Sequence, residues 1–292
     1  MRTVLILSLA LIVASCGARS SSSRVPVVAA ENVYGDIAQQ IGGNHIAVTS
    51  ILSNPNADPH LFEPGTANGL AVAKAKVVIA NGVGYDSFID RLERASPKTQ
   101  RQVLVVADVL DVHGHDANPH LWYDVPRLPR VAAAIAAVLE RADPGHISTY
   151  RAGLRRFDAS LAPLDQEVAR LRRTYAGQPV AYTEPVPGYL LDAAGLENLA
   201  PVAFTRAIED GSEPPPAAVA EMLHLLSAHK VRVLLYNDQT VSPITVRVRT
   251  AARAAGIPVV GVSETLPPHR SFQGWQLAQA RALDDALARR AA

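Results

Sequence analysis

The stretch ISTYRAGLRRFDASLAPLDQEVARLRRTY, residues 147–175, sets Ile147, Tyr150, Leu154, Phe157, Leu161, Leu164, Val168, Leu171 and Tyr175 at alternating steps of three and four. That spacing is the apolar stripe of a helix of about eight turns. At ~1.5 Å per residue it runs roughly 40 Å, longer than one sheet layer needs and enough to cross a whole small protein. Pro163 falls inside the stripe. It removes one hydrogen bond and bends the helix, yet the stripe keeps its phase on both sides. The reading is one bent helix shared by two lobes, with a pair of helices broken at Pro163 as the alternative.

On either side of this helix the period changes. Before it, Val25 to Ala30, Ala47 to Leu52, Val77 to Ala80 and Val103 to Val106 are short β-rich runs; after it, Val180 to Tyr182, Val231 to Tyr236 and Ile257 to Val262 repeat the design. Near-continuous runs of Val, Ile, Leu and Ala spaced by helical segments predict parallel sheets covered on both faces. The fold class is α/β, with two Rossmann-like lobes of parallel sheet bridged by the long helix. The expected boundaries are a signal peptide over 1–15, a lipidated tether over 16–24, a first lobe over 25–144, the linking helix over 145–176 and a second lobe over 177–292. The roughly 275 residues after the first segment exceed the ~100–200 usual for one domain, which agrees with two lobes.

The N-terminal segment reads as an address. Arg2 precedes the apolar run Val4 to Ala14, too short for a membrane helix of ~20 residues but right for a secretory signal core. Val13-Ala14-Ser15-Cys16-Gly17 resembles the bacterial lipobox, at which the cysteine is diacylated and the peptide is cut, so Cys16 is the expected lipidation site and first mature residue. It is the only cysteine, which excludes an internal disulfide. Ala18 to Ser23 is a polar, serine-rich tether between lipid and body. Removal of Arg2 leaves 27 basic against 27 acidic side chains, and no basic cluster interleaved with aromatics is present, which disfavours nucleic acid as a partner.

Chemistry enters with two similar loops. Asp58-Pro59-His60-Leu61-Phe62-Glu63-Pro64 and Asn118-Pro119-His120-Leu121-Trp122-Tyr123-Asp124 both place a histidine after a proline and before an apolar-aromatic pair. The proline restrains the local backbone, and the apolar pair is expected to dock into the lobe below, aiming the imidazole. Two copies of one local design point to coordination, which needs ligands converging from several loops.

These two loops, the lipobox and the long helix together resemble the zinc- and manganese-binding solute-binding lipoproteins of ABC transporters, the cluster A-I metal-binding periplasmic proteins. Ala30-Glu31-Asn32-Val33-Tyr34-Gly35-Asp36-Ile37-Ala38 is similar to the opening strand-to-helix segment of that family, as is Gly188-Tyr189-Leu190 after Thr183-Glu184-Pro185 to a later one. The resemblance implies two α/β lobes facing each other across a rigid helix, with a metal ion between them. It implies His60 and His120 as first-lobe ligands. It also implies Glu184, just beyond the strand Val180 to Tyr182, where ligands of open α/β sheets lie; an acid near the start of the next helix is the structural alternative.

A fourth ligand is expected after Val231 to Tyr236, where Asn237-Asp238-Gln239-Thr240 offers Asp238 as its only carboxylate, although Asp238 comes earlier than the family pattern. Gln239, a water, or a plain Asx turn are the rivals. His113 and His115, near Gly114 and Asp116, read as a solvated loop or a reduced metal-capture segment, and His45, His146, His224, His229 and His269 as structural or surface residues. Two imidazoles with carboxylate suit Zn2+, with Mn2+ as the alternative, and the absence of a free thiol excludes a soft copper site.

The implied partners are an ABC transporter permease and, through the anchor, the extracytoplasmic face of a cell membrane, with the chain acting as a monomer. The shared helix argues against wide hinge closure and for loop and small lobe shifts. A zinc hydrolase could use the same ligands, but no His-Glu-x-x-His helix, Gly-x-Ser-x-Gly elbow or phosphate-binding glycine loop accompanies them. A metal-binding adhesin lipoprotein differs from the transport reading only in partner.

Overall fold

The computed structural model describes residues 24–114 and 116–289. Cys16, the signal segment and His115 therefore lie outside the described residues. The first lobe holds four strands, β1 (Val25–Glu31), β2 (Ile46–Leu52), β3 (Val77–Ala80) and β4 (Gln102–Val105), in the order β2-β1-β3-β4. The second holds β5 (Pro179–Tyr182), β6 (Glu197–Asn198), β7 (Leu234–Asn237) and β8 (Val259–Val262), in the order β6-β5-β7-β8. Every pairing is parallel, for instance Val27 with Val48 and Val77 in the first sheet and Leu235 with Val260 in the second. The two sheets thus repeat one topology, each reversing direction of growth beside its first strand.

The central strands are buried on both faces: all four residues of β3 and all four of β7 are inaccessible. This is why β3 and the first three residues of β7 read as apolar runs, with Asn237 the one buried polar residue among them. β6, two residues long, carries no such run and was not foreseen.

The linking segment forms two helices, α6 (Ile147–Ser160) and α7 (Ala162–Tyr175), that meet at Leu161. The backbone there stays right-handed (φ −76°, ψ −19°), so the axis is interrupted but the chain does not turn back. Pro163 causes the break two residues upstream, because its missing N–H and its ring act on the preceding turn. The joint divides the segment between lobes. α6 packs on α1 (Asn32–Gly42) and α5 (Leu128–Ala142), whereas α7 packs on α8 (Gly188–Ala194) and α12 (Phe272–Ala288). At Gly153 the approach is so close that a Cβ would lie 2.1 Å from the carbonyl oxygen of Ile41.

One continuous apolar core runs from Val27 and Ile79 through Trp122, Phe157, Leu161 and Leu164 to Leu191, Phe272 and Leu283. Polar ties reinforce it. The side chain of Asn32 donates to the Leu266 carbonyl (2.8 Å) and accepts from the Leu266 N–H (2.9 Å), and Asp36 accepts from the Phe272 N–H at 2.8 Å. Gln40 and Gln273 exchange amide hydrogen bonds. The first helix of the first lobe is thereby fastened to the stretch that enters the last helix of the second. Among the described residues no helix is long and apolar enough to cross a membrane.

Candidate metal centre

The carboxyl ends of both sheets face one cleft, where loops of each lobe deliver imidazoles and carboxylates. His60 sits in a short 3-10 turn, Pro59–Leu61, whose preceding residue Asp58 accepts the His60 N–H at 2.9 Å. The His60 side chain is 18% exposed. Its Nε2 lies 3.0 Å from Glu184 Oε1 and 3.8 Å from Glu264 Oε2. His120 immediately precedes a second 3-10 turn, Leu121–Tyr123, and its side chain is fully buried. His120 Nδ1–H donates to Asn118 Oδ1 at 2.8 Å, which turns Nε2 toward Glu264 Oε2 at 3.3 Å and Glu209 Oε2 at 3.9 Å. Asn118 also accepts the His120 N–H (3.0 Å) and donates to the Pro185 carbonyl (2.8 Å), so one amide of the first lobe orients the imidazole and grips the second lobe.

Zinc bonds to nitrogen and oxygen measure ~2.0–2.2 Å, so two donors of one ion stand no more than ~4.4 Å apart. All four histidine–carboxylate separations fall inside that limit. His60, Glu184 and Glu264 offer donor atoms mutually within 4.8 Å; His120 joins through Glu264 and stands outside that mutual set. Glu264 Oε2 is the hub, with His60 and Glu184 on one side and His120 and Glu209 on the other.

The carboxylates are themselves held. Asn237 donates to Glu184, to Glu264 Oε1 at 2.8 Å and toward Thr240 Oγ1 at 3.0 Å. Gln239 Oε1 accepts the N–H groups of Glu264 (2.7 Å) and Thr265 (3.0 Å), fixing the backbone behind the hub. Tyr85 donates to Glu264 Oε2 at 2.7 Å from a turn in which Val83 has φ 54°. A β-branched residue there costs of order 1–3 kcal/mol. Asp86 holds that turn by accepting the N–H groups of Asn81 (2.6 Å) and Gly82 (2.9 Å).

The electrostatics follow from burying two imidazoles with three acids. Burial alone depresses His60, but its hydrogen bond with Glu184 and the charges of Glu264, Glu184 and Glu209 outweigh it and hold the imidazolium up to about 10. His120 is raised likewise, with the Glu209 charge and the Glu264 contact overcoming burial. Burial would push Glu264 up, yet His120, His60 and Tyr85 bring it down to about 2. Glu209, with burial dominant over the His120 charge, rises to about 7.

His60, His120 and Glu184 are thus brought together, and Asp238 is not. Asp238 is exposed, its carboxylate lies over Gly261, and the cationic charges that act on it are those of Arg249 and Arg253. The reason is the bend that follows β7 at Asn237: it sends Gln239 and Thr240 one after the other into the cleft and leaves Asp238 facing out. The fourth inward donor comes instead from Glu264, after β8. A signal for it existed, since Tyr182-Thr183-Glu184 and Val262-Ser263-Glu264 both follow a strand end with a hydroxyl residue and a glutamate. Leu61, expected to dock, is 78% exposed, and the loop is anchored by buried Pro59 and by Phe62, whose ring meets Phe88 at a tilt with centroids 5.1 Å apart. His113 is exposed beside Asp111, outside the cleft.

A scan against protein-family profiles matches residues 27–286 to the family described as zinc-uptake complex component A, periplasmic. The chain belongs to this family. Its relatives include the manganese ABC transporter substrate-binding lipoprotein scaA of Streptococcus gordonii, 26% identical over 73% of this chain and 71% of that protein. The manganese-binding lipoprotein MntA of Halalkalibacterium halodurans is 28% identical over 66% and 69%. Among solved structures, the periplasmic zinc-binding protein TroA of Treponema pallidum superposes with a TM-score of 0.79 at 18% identity, covering 91% of this chain and all of that one. Membership makes the chain a metal-binding substrate-binding protein of an ABC transporter, which works with a permease and its ATPase, and not an enzyme.

Proposed function

We propose that this protein captures a divalent transition metal, zinc in preference to manganese, between its lobes and hands it to an ABC permease from the extracytoplasmic face of a membrane, as a monomer anchored through a lipid on Cys16. The ligands are His60 and His120 from the first lobe and Glu184 and Glu264 from the second. The convergence of His60 Nε2 on Glu184 (3.0 Å) and Glu264 (3.8 Å), from opposite lobes, carries this reading. A nitrogen-oxygen set follows the general affinity order, which places zinc above manganese.

Before the ion arrives, protons on the imidazoles balance the acids. The incoming dication takes over that role: each histidine surrenders its Nε2 proton, and Asn118 keeps His120 in the tautomer whose free lone pair faces the cleft. Asn237 and Gln239 hold the two glutamates without consuming the oxygens that face His60 and His120. Affinity falls in acid, where protons compete for the same nitrogens.

The test is metal content by mass spectrometry on protein stripped and re-equilibrated with equal zinc and manganese, beside a His60→Ala, His120→Ala double variant. One equivalent of zinc in the parent and none in the variant is expected; a parent without bound metal overturns the reading.

A further inference from the structure

Glu209 is an unexplained component of the cleft. It is the last residue of α9 (Val202–Glu209), where the helix dipole disfavours a negative charge. Its side chain is only 15% exposed, and its Oε2 is buried without a hydrogen-bond donor among the described residues. Among the described residues no lysine or arginine pairs with it; Arg206, one turn earlier, is engaged by Asp116. What Oε2 does face is His120 Nε2, at 3.9 Å, across from Glu264. Glu209 also lines two openings of the cleft, one with His60 and Tyr85, the other with Asn118 and Tyr182. A carboxylate oxygen kept from water, given no hydrogen-bond donor and facing His120 Nε2 is balanced by that imidazolium in the metal-free protein, and loses its only counter-charge there when the ring gives up its proton, unless the incoming cation replaces it.

We propose that Glu209 Oε2 is a fifth donor to the transported dication, and that it selects for ions accepting more than four ligands. The inference rests on the metal-binding reading above. His60, His120, Glu184 and Glu264 already fill a tetrahedral zinc shell, so zinc gains little from a fifth oxygen. Manganese favours carboxylate-rich, higher-coordinate surroundings, and for it Glu209 turns a two-nitrogen, two-oxygen set into one dominated by oxygen. The residue therefore narrows the gap that the general affinity order opens between zinc and manganese.

The experiment compares the full chain in detergent with Glu209→Gln and Glu209→Ala, and with Glu184→Gln as a control. Zinc and manganese affinities are read by competition with a chelating dye, and bound Mn2+ by electron paramagnetic resonance. Manganese affinity is expected to fall about tenfold or more in both Glu209 variants while zinc changes less than about threefold. The zero-field splitting of bound Mn2+ should change in the same variants, and Glu184→Gln should weaken both metals. Equal losses for the two metals, or unchanged manganese affinity and spectrum, overturn the proposal while leaving the metal-binding reading intact. A parent that takes up neither metal sinks that reading itself. Glutamine preserves the shape of Glu209, and thermal midpoints of the metal-free variants verify that they fold.

Discussion

The two Pro-His-Leu loops have nearly the same local sequence and opposite settings. Around His120, Leu121, Trp122 and Tyr123 are all fully buried, and the Tyr123 hydroxyl reaches across to the Ser263 carbonyl at 2.7 Å. Around His60, Leu61 is 78% exposed and only the backbone is capped, by Asp58. One imidazole is set in the core with its tautomer fixed; the other rides on a surface turn. A shared motif specifies how a histidine is presented, while the packing beneath it decides whether that histidine can move. The deep imidazole is held on all sides, and the shallow one is the less constrained of the two.

Replacing the histidines one at a time gives the largest contrast. Both His60→Ala and His120→Ala should abolish tight metal binding by calorimetric titration. His120→Ala should in addition lower the stability of the metal-free protein by about 3 kcal/mol, because it strips the partner from buried Glu264. His60→Ala also strips a partner from a buried acid, Glu184, but at the partly exposed end of the cleft, where water can take its place, and should cost less than His120→Ala in the same denaturation experiment. Equal destabilisation would erase the distinction between the loops.

The residues that follow the histidines sharpen it without touching the ligands. Leu121→Ala should destabilise by about 3 kcal/mol, as expected for a buried leucine, and Leu61→Ala should fall within about 0.5 kcal/mol of the parent. Denaturant midpoints of the two variants decide this. The orienting residues come next: Asn118→Ala should weaken metal binding about 10–100-fold, since His120 loses its Nδ1 acceptor. Asp58→Ala, which removes only a backbone cap from His60, should do less.

Proton linkage gives the smallest and most specific signal. His60 is raised from 6.5 to about 10 in the folded protein, so its contribution to stability is complete below pH 6.5 and is lost as pH rises through 10. The metal-free protein should lose thermal stability between pH 7 and 10, and His60→Ala should flatten that slope. For the same reason metal uptake at pH 8 should release protons, seen as a dependence of binding enthalpy on buffer, with less release in the His60 variant.

The elements were legible where burial left a one-dimensional signature. β3 and β7 announce themselves because strands buried on both faces are almost wholly apolar, Asn237 at the cleft end of β7 being the exception, and α6 and α7 because their stripe persists through the break. The location of the break was shifted by two residues since proline disturbs the turn before it. In the site, the repeated Pro-His-Leu loops marked His60 and His120, and a strand end marked Glu184. Asp238 misled because the bend after β7, not proximity to a strand, decides which residue enters the cleft, and it turns Gln239 and Thr240 inward. Glu264 carried the same strand-hydroxyl-glutamate signature as Glu184 and went unread. Glu209 had no signature, since an acid closing a helix looks like any solvated surface residue.

The pairing of Asn32 with Leu266 has a mechanical corollary. Glu264 belongs by sequence to the second lobe, yet two residues later its strand exit is bolted to the first, so the two halves cannot be drawn apart without tearing the hub's own mounting. A permease that empties the cleft therefore has little purchase on the whole body. The turn that carries His60, with Leu61 78% exposed, is the part of the cleft wall that this fastening leaves least held.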